Sequence, residues 1–446
     1  MKNYNFLLFC FGLFWVNMLS AQNPIIRNQF TADPTARVFG EKVYLYPSHD
    51  IPTPEGKGLR KDWFCMEDYH AFSSTNLIDW IDHGIIISQT TVPWTNPKGY
   101  SMWAPDCIEK NGKYYFYFPA APDTAYGRGF AIGVAIANNP AGPFVPQSKP
   151  IKNARGIDPN VFVDKDGQAY LYWSGRGFSA AKLNENMTEL ASEPQIIDNL
   201  PNKGLKEGPF LFERNGIYYL TFPHVENKIE RLEYAMGNSP LGPFKMAGVV
   251  MDEAPNGCWT NHHSFINFNN QWYLFYHRND LSPKFDKNRS VRIDSMFFNT
   301  DGTIRKVVPT LRGVGLTSAS SEIQLDRYSN LSNTGASIAF LDTTNSFGGW
   351  KTILNAKDAW VQYNSVDFGK NKLKKIIVKA ASTTGSTIVL RVNNANGPVI
   401  AKVKIPKSEV LNSVEASISE FYSGVQNIVA QLTDGGYVEI DWVSFK

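Results

Sequence analysis

EKNGKYYFYFP, residues 109–119, joins an Asn-Gly pair to a strand of aromatic residues. An Asn-Gly pair between two strand-forming runs is typical of a tight β-hairpin. Four further stretches follow the same pattern, with FGE, KDG, RNG and FNN as the turn sequences. The aromatic strands after these turns are KVYLYPS from residue 42, AYLYWSG from 169, IYYLTFP from 217 and WYLFYHR from 272. The chain therefore repeats one hairpin five times.

The spacing of these hairpins predicts the fold of the first domain. They lie roughly 50 to 70 residues apart, which leaves room for four strands per unit, and helical periodicity is scarce throughout. Such repetition is typical of a β-propeller with four-stranded blades. A large β-sandwich with irregular hairpins is the alternative, and the close similarity of the units disfavours it. We predict an all-β chain in which residues 22–312 form a five-bladed β-propeller.

The amino-acid composition changes near LRGVGLTSASSEIQL, residues 311–325. Tryptophan, tyrosine and proline are dense before it, whereas short alternating runs rich in serine, threonine, valine and isoleucine follow. We place a linker at residues 313–321. Alternating strands with polar turns over residues 322–446 predict a β-sandwich of the jelly-roll type.

Bulk properties restrict the location and the partners. Residues 1–21 combine a lysine, a short apolar run and a small-residue end, which is the layout of a secretory signal peptide. The apolar run is shorter than the ~20 residues of a membrane-spanning helix, so we expect a secreted or periplasmic protein without a membrane span. The formal charge of +3 argues against nucleic acid as a partner. Cys65, Cys107 and Cys258 have spacings that suit neither a zinc site nor a disulfide framework, and buried thiols are expected although one disulfide stays open.

An ionisable residue precedes each hairpin at a similar phase of the repeat. These residues are Asp33 in ADPTARVF, Asp106 in MWAPDCIEKNG, Asp158 in GIDPNVFVDKDG, Glu207 in KEGPFLFERNG and His262 with His263 in TNHHSFINFNN. If the first strand of each blade lines the axis, these side chains converge there. Carboxylates that share a small cavity raise one another's pKa. Glycoside hydrolysis needs one protonated carboxylic acid and one ionised carboxylate, so the cluster suits that chemistry.

The five quoted motifs, taken in order, resemble the blade motifs of glycoside hydrolase family 43 over about residues 24–312. The resemblance implies an inverting glycosidase with Asp33 as the general base, Glu207 as the general acid and Asp158 as the residue that orients Glu207. It also implies that Trp103, Asp106, His262 and Arg292 bind substrate, with Arg289 as the competitor of Arg292 for contact with Asp158. His262 would further lie near a calcium or other ion at the axis. Plain core packing stays open for Trp103 and for His262.

The C-terminal domain resembles a carbohydrate-binding module of family 6, on the stretches SEIQLDRYSN, DAWVQYNSVDFG and VEIDWVSF. The resemblance implies a structural calcium held by acids near the two ends of the module, here Glu322 and Asp441. The segment PKSEVLNSVEASI lacks the aromatic residue with which such modules sandwich a sugar. Sugar binding and a purely structural role of this domain both stay open.

These features predict an exported, exo-acting glycosidase that needs no cofactor for its chemistry and acts on an oligosaccharide or polysaccharide of plant or algal origin. The resemblance implies release of terminal arabinofuranose or xylose. Two alternatives remain: a non-catalytic sugar-binding propeller, and another glycosidase specificity on the same fold, such as a galactosidase, an anhydro-galactosidase or a retaining fructosidase.

Overall fold

The repeated aromatic stretches form the second strand of five successive antiparallel sheets. The computed structural model describes residues 22–205 and 207–446, so the predicted signal peptide lies outside the described residues. The turn pairs Asn111-Gly112, Asn215-Gly216 and Asn269-Asn270 each have positive φ at both residues. This is the backbone of a two-residue type I′ hairpin, and the hairpins predicted at these places are confirmed.

Each of these sheets is built from strands in sequence order, and the fifth has three strands instead of four. The first sheet contains β1 (Ala32–Phe39), β2 (Lys42–Ser48), β3 (Asp68–Ser74) and β4 (Ile81–Ser88). The second contains β5 (Asp106–Lys110), β6 (Lys113–Ala120), β7 (Ala131–Ala137) and β8 (Val145–Pro146). The third contains β9 (Ile157–Val163), β10 (Ala169–Ser174), β11 (Phe178–Lys182) and β12 (Gln195–Ile196). The fourth contains β13 (Phe210–Arg214), β14 (Ile217–Val225), β15 (Glu230–Gly237) and β16 (Phe244–Met251), and the fifth contains β17 (His263–Phe268), β18 (Gln271–Arg278) and β19 (Ser290–Met296).

The five sheets pack face to face in a closed ring. Five apolar clusters join each sheet to the next, and one of them joins the fifth sheet back to the first through residues such as Phe72 and Phe275. The first strands β1, β5, β9, β13 and β17 contact one another in the same cyclic order. Side chains at the start of these strands therefore approach a common centre.

The segment before β1 also closes the ring. Backbone N–H groups of Asn23, Ile25 and Thr31 donate to carbonyl oxygens of Leu311, Val291 and Arg289, two of which lie on or just before β19. This contact covers the open edge of the fifth sheet, where an unpaired strand would expose its backbone.

The C-terminal strands form two sheets around one core. One sheet has the order β20 (Thr317–Ser318), β25 (Trp360–Asp367), β30 (Val425–Leu432), β27 (Ser386–Val392) and β28 (Val399–Ile405), with β22 (Asn330–Leu331) beside β25. The other has the order β23 (Ala336–Phe340), β24 (Trp350–Leu354), β31 (Val438–Phe445), β26 (Lys375–Ser382) and β29 (Ser408–Ser417), with β21 (Ile323–Gln324) beside β31. The predicted β-sandwich is confirmed, and β20 brings part of the predicted linker into it.

The described residues contain almost no helix, which confirms the all-β prediction. Three short 3-10 turns occur at Gln89–Thr91, Thr124–Tyr126 and Ser346–Gly348. Over residues 22–205 and 207–446, no helix has the length and apolar character to cross a membrane. The cysteines Cys65, Cys107 and Cys258 are free and buried, as predicted.

Candidate active site

Two aspartates sit on β-bulges at the start of the innermost strands. Asp33 in β1 and Asp158 in β9 each precede a proline, and the pairing register shifts at both places. Their φ angles are 43° and 55°, a region that non-glycine residues rarely occupy. Both residues are nearly buried, with 5% and 4% of their surface exposed. A bulge that holds a strained, buried acid is a feature of functional sites rather than of ordinary turns.

Asp33 is held by a dense set of donors. Arg289 donates to both of its carboxylate oxygens, at 2.6 and 3.1 Å, and the Ser48 hydroxyl donates at 2.8 Å. Burial, the largest single influence, would raise the pKa of Asp33, but the Arg289 guanidinium, the neighbouring histidines and the Ser48 hydrogen bond together outweigh it, and the net pKa is lowered. Asp33 is therefore ionised and can accept a proton from water.

Arg289 bridges two carboxylates. Besides Asp33, it donates from Nε and Nη2 to Asp50, each at 2.9 Å, and the ring of Phe64 lies 4.8 Å from the centre of its guanidinium. Burial raises the pKa of Asp50 despite this pairing. The sequence hypothesis favoured Arg292 at the carboxylates, and this is corrected: Arg292 pairs with Asp280, with Nε to Oδ2 at 2.8 Å. The expected arginine contact with Asp158 is likewise replaced by the contact with Asp33.

The second acidic group forms around Asp158. Its Oδ2 accepts the backbone N–H of Gly208 at 2.9 Å, which ties it to the residue after Glu207. Burial, then the charges of Glu207 and Asp33, raise the pKa of Asp158 well above its ordinary value. Glu207 itself is half-buried and lies just ahead of β13. Such coupled carboxylates hold a shared proton more tightly than a lone acid does.

Glu230 is a further buried acid near the site that sequence reasoning missed. It opens β15, its Oε2 accepts the backbone N–H of Asn261 at 2.9 Å, and its Oε1 has no hydrogen-bond partner among the described residues. Burial, then the charge of Glu207, raise its pKa well above the ordinary value. A sequence clue exists, because Glu230 falls in the buried phase of its strand together with Leu232 and Tyr234.

Three histidines surround the acids. Nδ1 of His277 accepts the backbone N–H of Asp33 at 3.0 Å, so its proton lies on Nε2, next to Thr260. His263 is a core residue whose Nε2 contacts the Thr221 hydroxyl at 2.7 Å. Burial lowers the pKa of His262 to about 4, against the opposing influence of Asp33. A neutral imidazole of this kind has the lone pair that a metal ligand requires.

The predicted positions in the second sheet differ in their surroundings. Asp106 accepts hydrogen bonds from Arg37 Nε (3.0 Å), Asn160 Nδ2 (2.8 Å) and the backbone N–H of Val161 (2.7 Å). These contacts use its carboxylate to join the first three sheets, which corrects the substrate-binding prediction for Asp106. Trp103 is half-buried, and its ring centroid lies 4.5 Å from that of Phe130. Its predicted role beneath a sugar stays a prediction.

Glu322 and Asp441 approach each other in the C-terminal domain. Glu322 is exposed, and Asp441 is half-buried. Burial, then the charge of Glu322, raise the pKa of Asp441 to about 6. Lys379 and Arg27 offset part of this effect. Carboxylate oxygens are the donors that a hard cation prefers, so the residues fit the predicted calcium. The calcium itself stays a prediction.

The central arrangement has the parts that acid–base cleavage of an acetal needs. Asp33 supplies an ionised carboxylate, and the group around Asp158, Glu207 and Glu230 retains a proton. When their surroundings shift the pKa values of neighbouring acids in opposite directions, one acid is ionised and can act as the base, and the other stays protonated and can act as the acid.

Comparison with known proteins agrees with this chemistry. The family model described as glycosyl hydrolases family 43 matches residues 21–304, and the carbohydrate binding module (family 6) model matches residues 331–446. The chain is 36% identical to xylosidase/arabinosidase 43A of Humicola insolens, over 63% of this chain and 98% of that protein. It is 26% identical to the arabinoxylan arabinofuranohydrolase of Bacillus subtilis, over 93% of this chain and 90% of that protein.

A solved structure shows the same likeness. A family 43 β-xylosidase/α-arabinofuranosidase from a compost microbial metagenome, in complex with xylotriose and in a calcium-free form, superposes with a TM-score of 0.59 at 34% identity. The match covers 65% of this chain and 98% of that one, and it assigns the ring of sheets to the β-propeller class. The chain therefore belongs to glycosyl hydrolase family 43 and is a glycoside hydrolase.

Proposed function

We propose that this enzyme is an exported, inverting, exo-acting hydrolase that releases terminal arabinofuranose or xylose from arabinoxylan-type polysaccharides. The five sheets would be the blades of a five-bladed propeller, with the site at its axis. The opposite pKa shifts of Asp33 and Asp158 carry the proposal, because they separate an ionised base from a proton-holding acid. The names of the relatives support pentose substrates.

In this mechanism Asp33 removes a proton from a water molecule whose oxygen bonds to the anomeric carbon from the face of the sugar opposite the leaving group. Glu207 protonates the glycosidic oxygen as its bond to the anomeric carbon breaks. Asp158 keeps the proton on the acidic group by its proximity, and it fixes the backbone at Gly208. An inverting enzyme requires roughly 6.5 to 9.5 Å between the two catalytic carboxyl groups, which leaves space for that water.

No cofactor has a part in these steps. His262 would lie beside a calcium or other ion at the axis, and Glu322 with Asp441 would hold a calcium ion in the C-terminal domain; such ions would supply only charge and rigidity. We further propose that the protein is exported through residues 1–21. Sugar binding by the C-terminal domain rests on its match to family 6 modules.

The decisive experiment combines substrate choice with stereochemistry. Purified protein is assayed on 4-nitrophenyl α-L-arabinofuranoside, β-D-xyloside and β-D-galactofuranoside, and then on arabinoxylan oligosaccharides. Proton NMR of the first product formed should show the inverted anomer. A retained anomer would contradict the inverting mechanism, and turnover of only the galactoside would contradict the pentose specificity.

A matched pair of variants tests the acid. Glu207→Gln should lower kcat on natural oligosaccharides by at least ~100-fold, the scale of general acid catalysis. The control Glu213→Gln removes an acid near the end of β13, whose side chain accepts the backbone N–H of Gly216 in the following turn, and should leave kcat unchanged. If Glu207→Gln kept full activity on oligosaccharides, the assignment would be wrong, and inactivity of the unaltered protein on every glycoside would favour a sugar-binding role.

A further inference from the structure

His49, Asp68 and His70 form a compact cluster on the outer part of the first sheet, here called the His-Asp-His triad. Ser48 at the end of β2 pairs with Tyr69 in β3, so His49 emerges next to Asp68 and His70. His49 Nδ1 lies 2.7 Å from Asp68 Oδ1, and His70 Nε2 lies 4.0 Å from the same oxygen. One ligand atom from each residue lies within 4.8 Å of the other two.

A fourth residue fixes the orientation of His70. Its Nδ1 lies 2.9 and 3.2 Å from the two carboxylate oxygens of Asp82 in β4. Asp82 is held in turn by the backbone N–H of Gly84 at 2.8 Å and by Gln29 at 3.2 Å. A carboxylate behind an imidazole fixes the proton on the nitrogen that faces it and directs the lone pair of the other nitrogen outward, as around protein-bound metals.

The triad lacks a positive charge at its centre. With its Nδ1 proton directed to Asp82, His70 presents a lone pair toward Asp68, and 4.0 Å is too long for a hydrogen bond. Two lone pairs that face each other repel, and a cation between them removes that repulsion. Tetrahedral ligands about 2.0 to 2.1 Å from a zinc ion lie roughly 3.3 Å apart, which is between the two observed distances.

A second cluster of histidine and carboxylate groups already contains a positive charge and serves as a comparison. His224 Nδ1 lies 3.0 Å from Glu233, and Glu226 is nearby. There the Arg231 guanidinium already donates to Glu233, with Nε to Oε1 at 2.6 Å. Arg231 thus provides the positive charge in that cluster, whereas no Lys or Arg side chain among the described residues forms an ion pair with Asp68 or Asp82.

We propose that the His-Asp-His triad binds one divalent transition-metal ion, with zinc as the best match. Two imidazole nitrogens and one carboxylate oxygen suit zinc, nickel or cobalt and do not suit calcium or magnesium. The side chains of His49, Asp68 and His70 are 21%, 11% and 15% exposed, so solvent can reach the position and supply the fourth ligand. This site is distinct from the predicted calcium positions.

The ion would brace the strand that carries part of the active site. His49 lies between Ser48, which donates to Asp33, and Asp50, which pairs with Arg289. An ion that joins His49 to β3 would hold the end of β2 in place. Its role is structural, because the ion pairs of His49, Asp68 and His70 within the described part of the chain are with one another and with Asp82 rather than with Asp33 or Asp158. The proposal stands independently of the substrate.

The test uses the full-length mature protein, freed of metal with a chelator and then titrated with zinc chloride. Isothermal titration calorimetry should show one equivalent of zinc that is lost in His70→Ala and in His49→Gln, and zinc should raise the Tm of the parent protein but not of these two variants. Asp82→Asn should weaken binding by about 10- to 100-fold, because it removes the residue that orients His70. The control Glu233→Gln, in the second cluster, should bind like the parent.

Two results would overturn the proposal. One is an absence of zinc binding at ~1 mM zinc by a protein whose circular dichroism shows it to be folded, which would mean that a second proton on His70 fills the position. The other is an unchanged zinc stoichiometry in both His70→Ala and His49→Gln, which would place the ion elsewhere, for instance at His262. Activity on glycosides is measured in parallel, and its absence would affect only the proposed function.

Discussion

At the residue scale, Arg289 determines the charge of Asp33. Its guanidinium contacts Asp33 and Asp50 together, and a lysine ammonium cannot reproduce this bridge. Arg289→Lys should therefore raise the pKa of Asp33. A general base must be ionised, so the acid limb of kcat/KM against pH should move to higher pH. The control Arg292→Lys, which alters the separate pair with Asp280, should leave this limb in place, and an unmoved limb in Arg289→Lys would contradict the role given to Arg289.

Glu230 has the opposite influence, on the acidic side of the site. Burial and then the charge of Glu207 raise the pKa of Glu230, and the repulsion between the two carboxylates is mutual. Glu230→Gln should lower the proton affinity of the group, and the basic limb of the pH profile should move to lower pH. Measurement of kcat/KM from about pH 5 to pH 9 tests this, with Glu213→Gln as the control. Identical basic limbs in parent and variant would show that Glu230 does not tune the acid.

At the scale of elements, the turn before β13 depends on Gly208. Its φ is +69°, and a Cβ at this position would lie 2.8 Å from the ring of Pro223. Gly208→Ala should displace the backbone N–H that donates a hydrogen bond to Asp158. The variant should therefore lower kcat more than it raises KM. Gly216→Ala is the matched control, since Gly216 has φ +81° and open space around it. It should cost about 1 to 2 kcal/mol of stability and leave kcat unchanged, and equal kcat values in both variants would contradict this account.

The elements also show what could be predicted from sequence. Asn-Gly turns and aromatic strands are local signals, so the sequence predicts the positions of the hairpins to within a few residues. Arg289 lies one residue before β19, where the alternation of a strand does not predict which way a side chain points. Only the structure therefore shows that Arg289, and not Arg292, contacts the central acids. Glu230 is the first residue of β15, the third strand of its sheet. The repeat predicts site residues only ahead of the first strand of each sheet, so it does not point to Glu230. Contacts between residues separated by a long loop, such as His49 and Asp68 of the His-Asp-His triad, have no local signal.

At the scale of the molecule, the residues after the predicted signal peptide connect the two domains. The Asn23 side chain donates to the carbonyl oxygens of Ile293 and Thr310, at 3.0 and 2.8 Å, and accepts the N–H of Ile293 at 2.9 Å. Its own carbonyl accepts a hydrogen bond from Arg327 of the C-terminal domain. Asn23→Ala should lower the free energy of unfolding by about 2 to 4 kcal/mol, because three buried bonds are lost.

Urea denaturation followed by tryptophan fluorescence measures this loss. Asn396→Ala is the control, because Asn396 is exposed and its side chain forms no recorded bond. An equal midpoint for Asn23→Ala and the parent protein would show that the segment after the signal peptide contributes little to ring closure.

The pH dependence of the stability of the whole enzyme should reflect the shifted pKa values of its buried acids. The folded-state pKa of Glu230 is raised above its unfolded value, so its contribution to stability is present at low pH and is lost as pH rises through the folded pKa. Asp33 behaves oppositely: its pKa is lowered, and its contribution is present above the unfolded pKa and lost on acidification. Glu230→Gln should therefore raise the Tm at pH 8 and leave it nearly unchanged at pH 4.5, whereas Asp33→Asn should lower the Tm at pH 8. Calorimetry at the two pH values compares these variants, and a Tm of Glu230→Gln below the parent's at pH 8 would mean that the buried carboxylate stabilises the fold. A gain in Tm accompanied by the basic-limb shift would identify Glu230 as an acid retained for activity at the expense of stability.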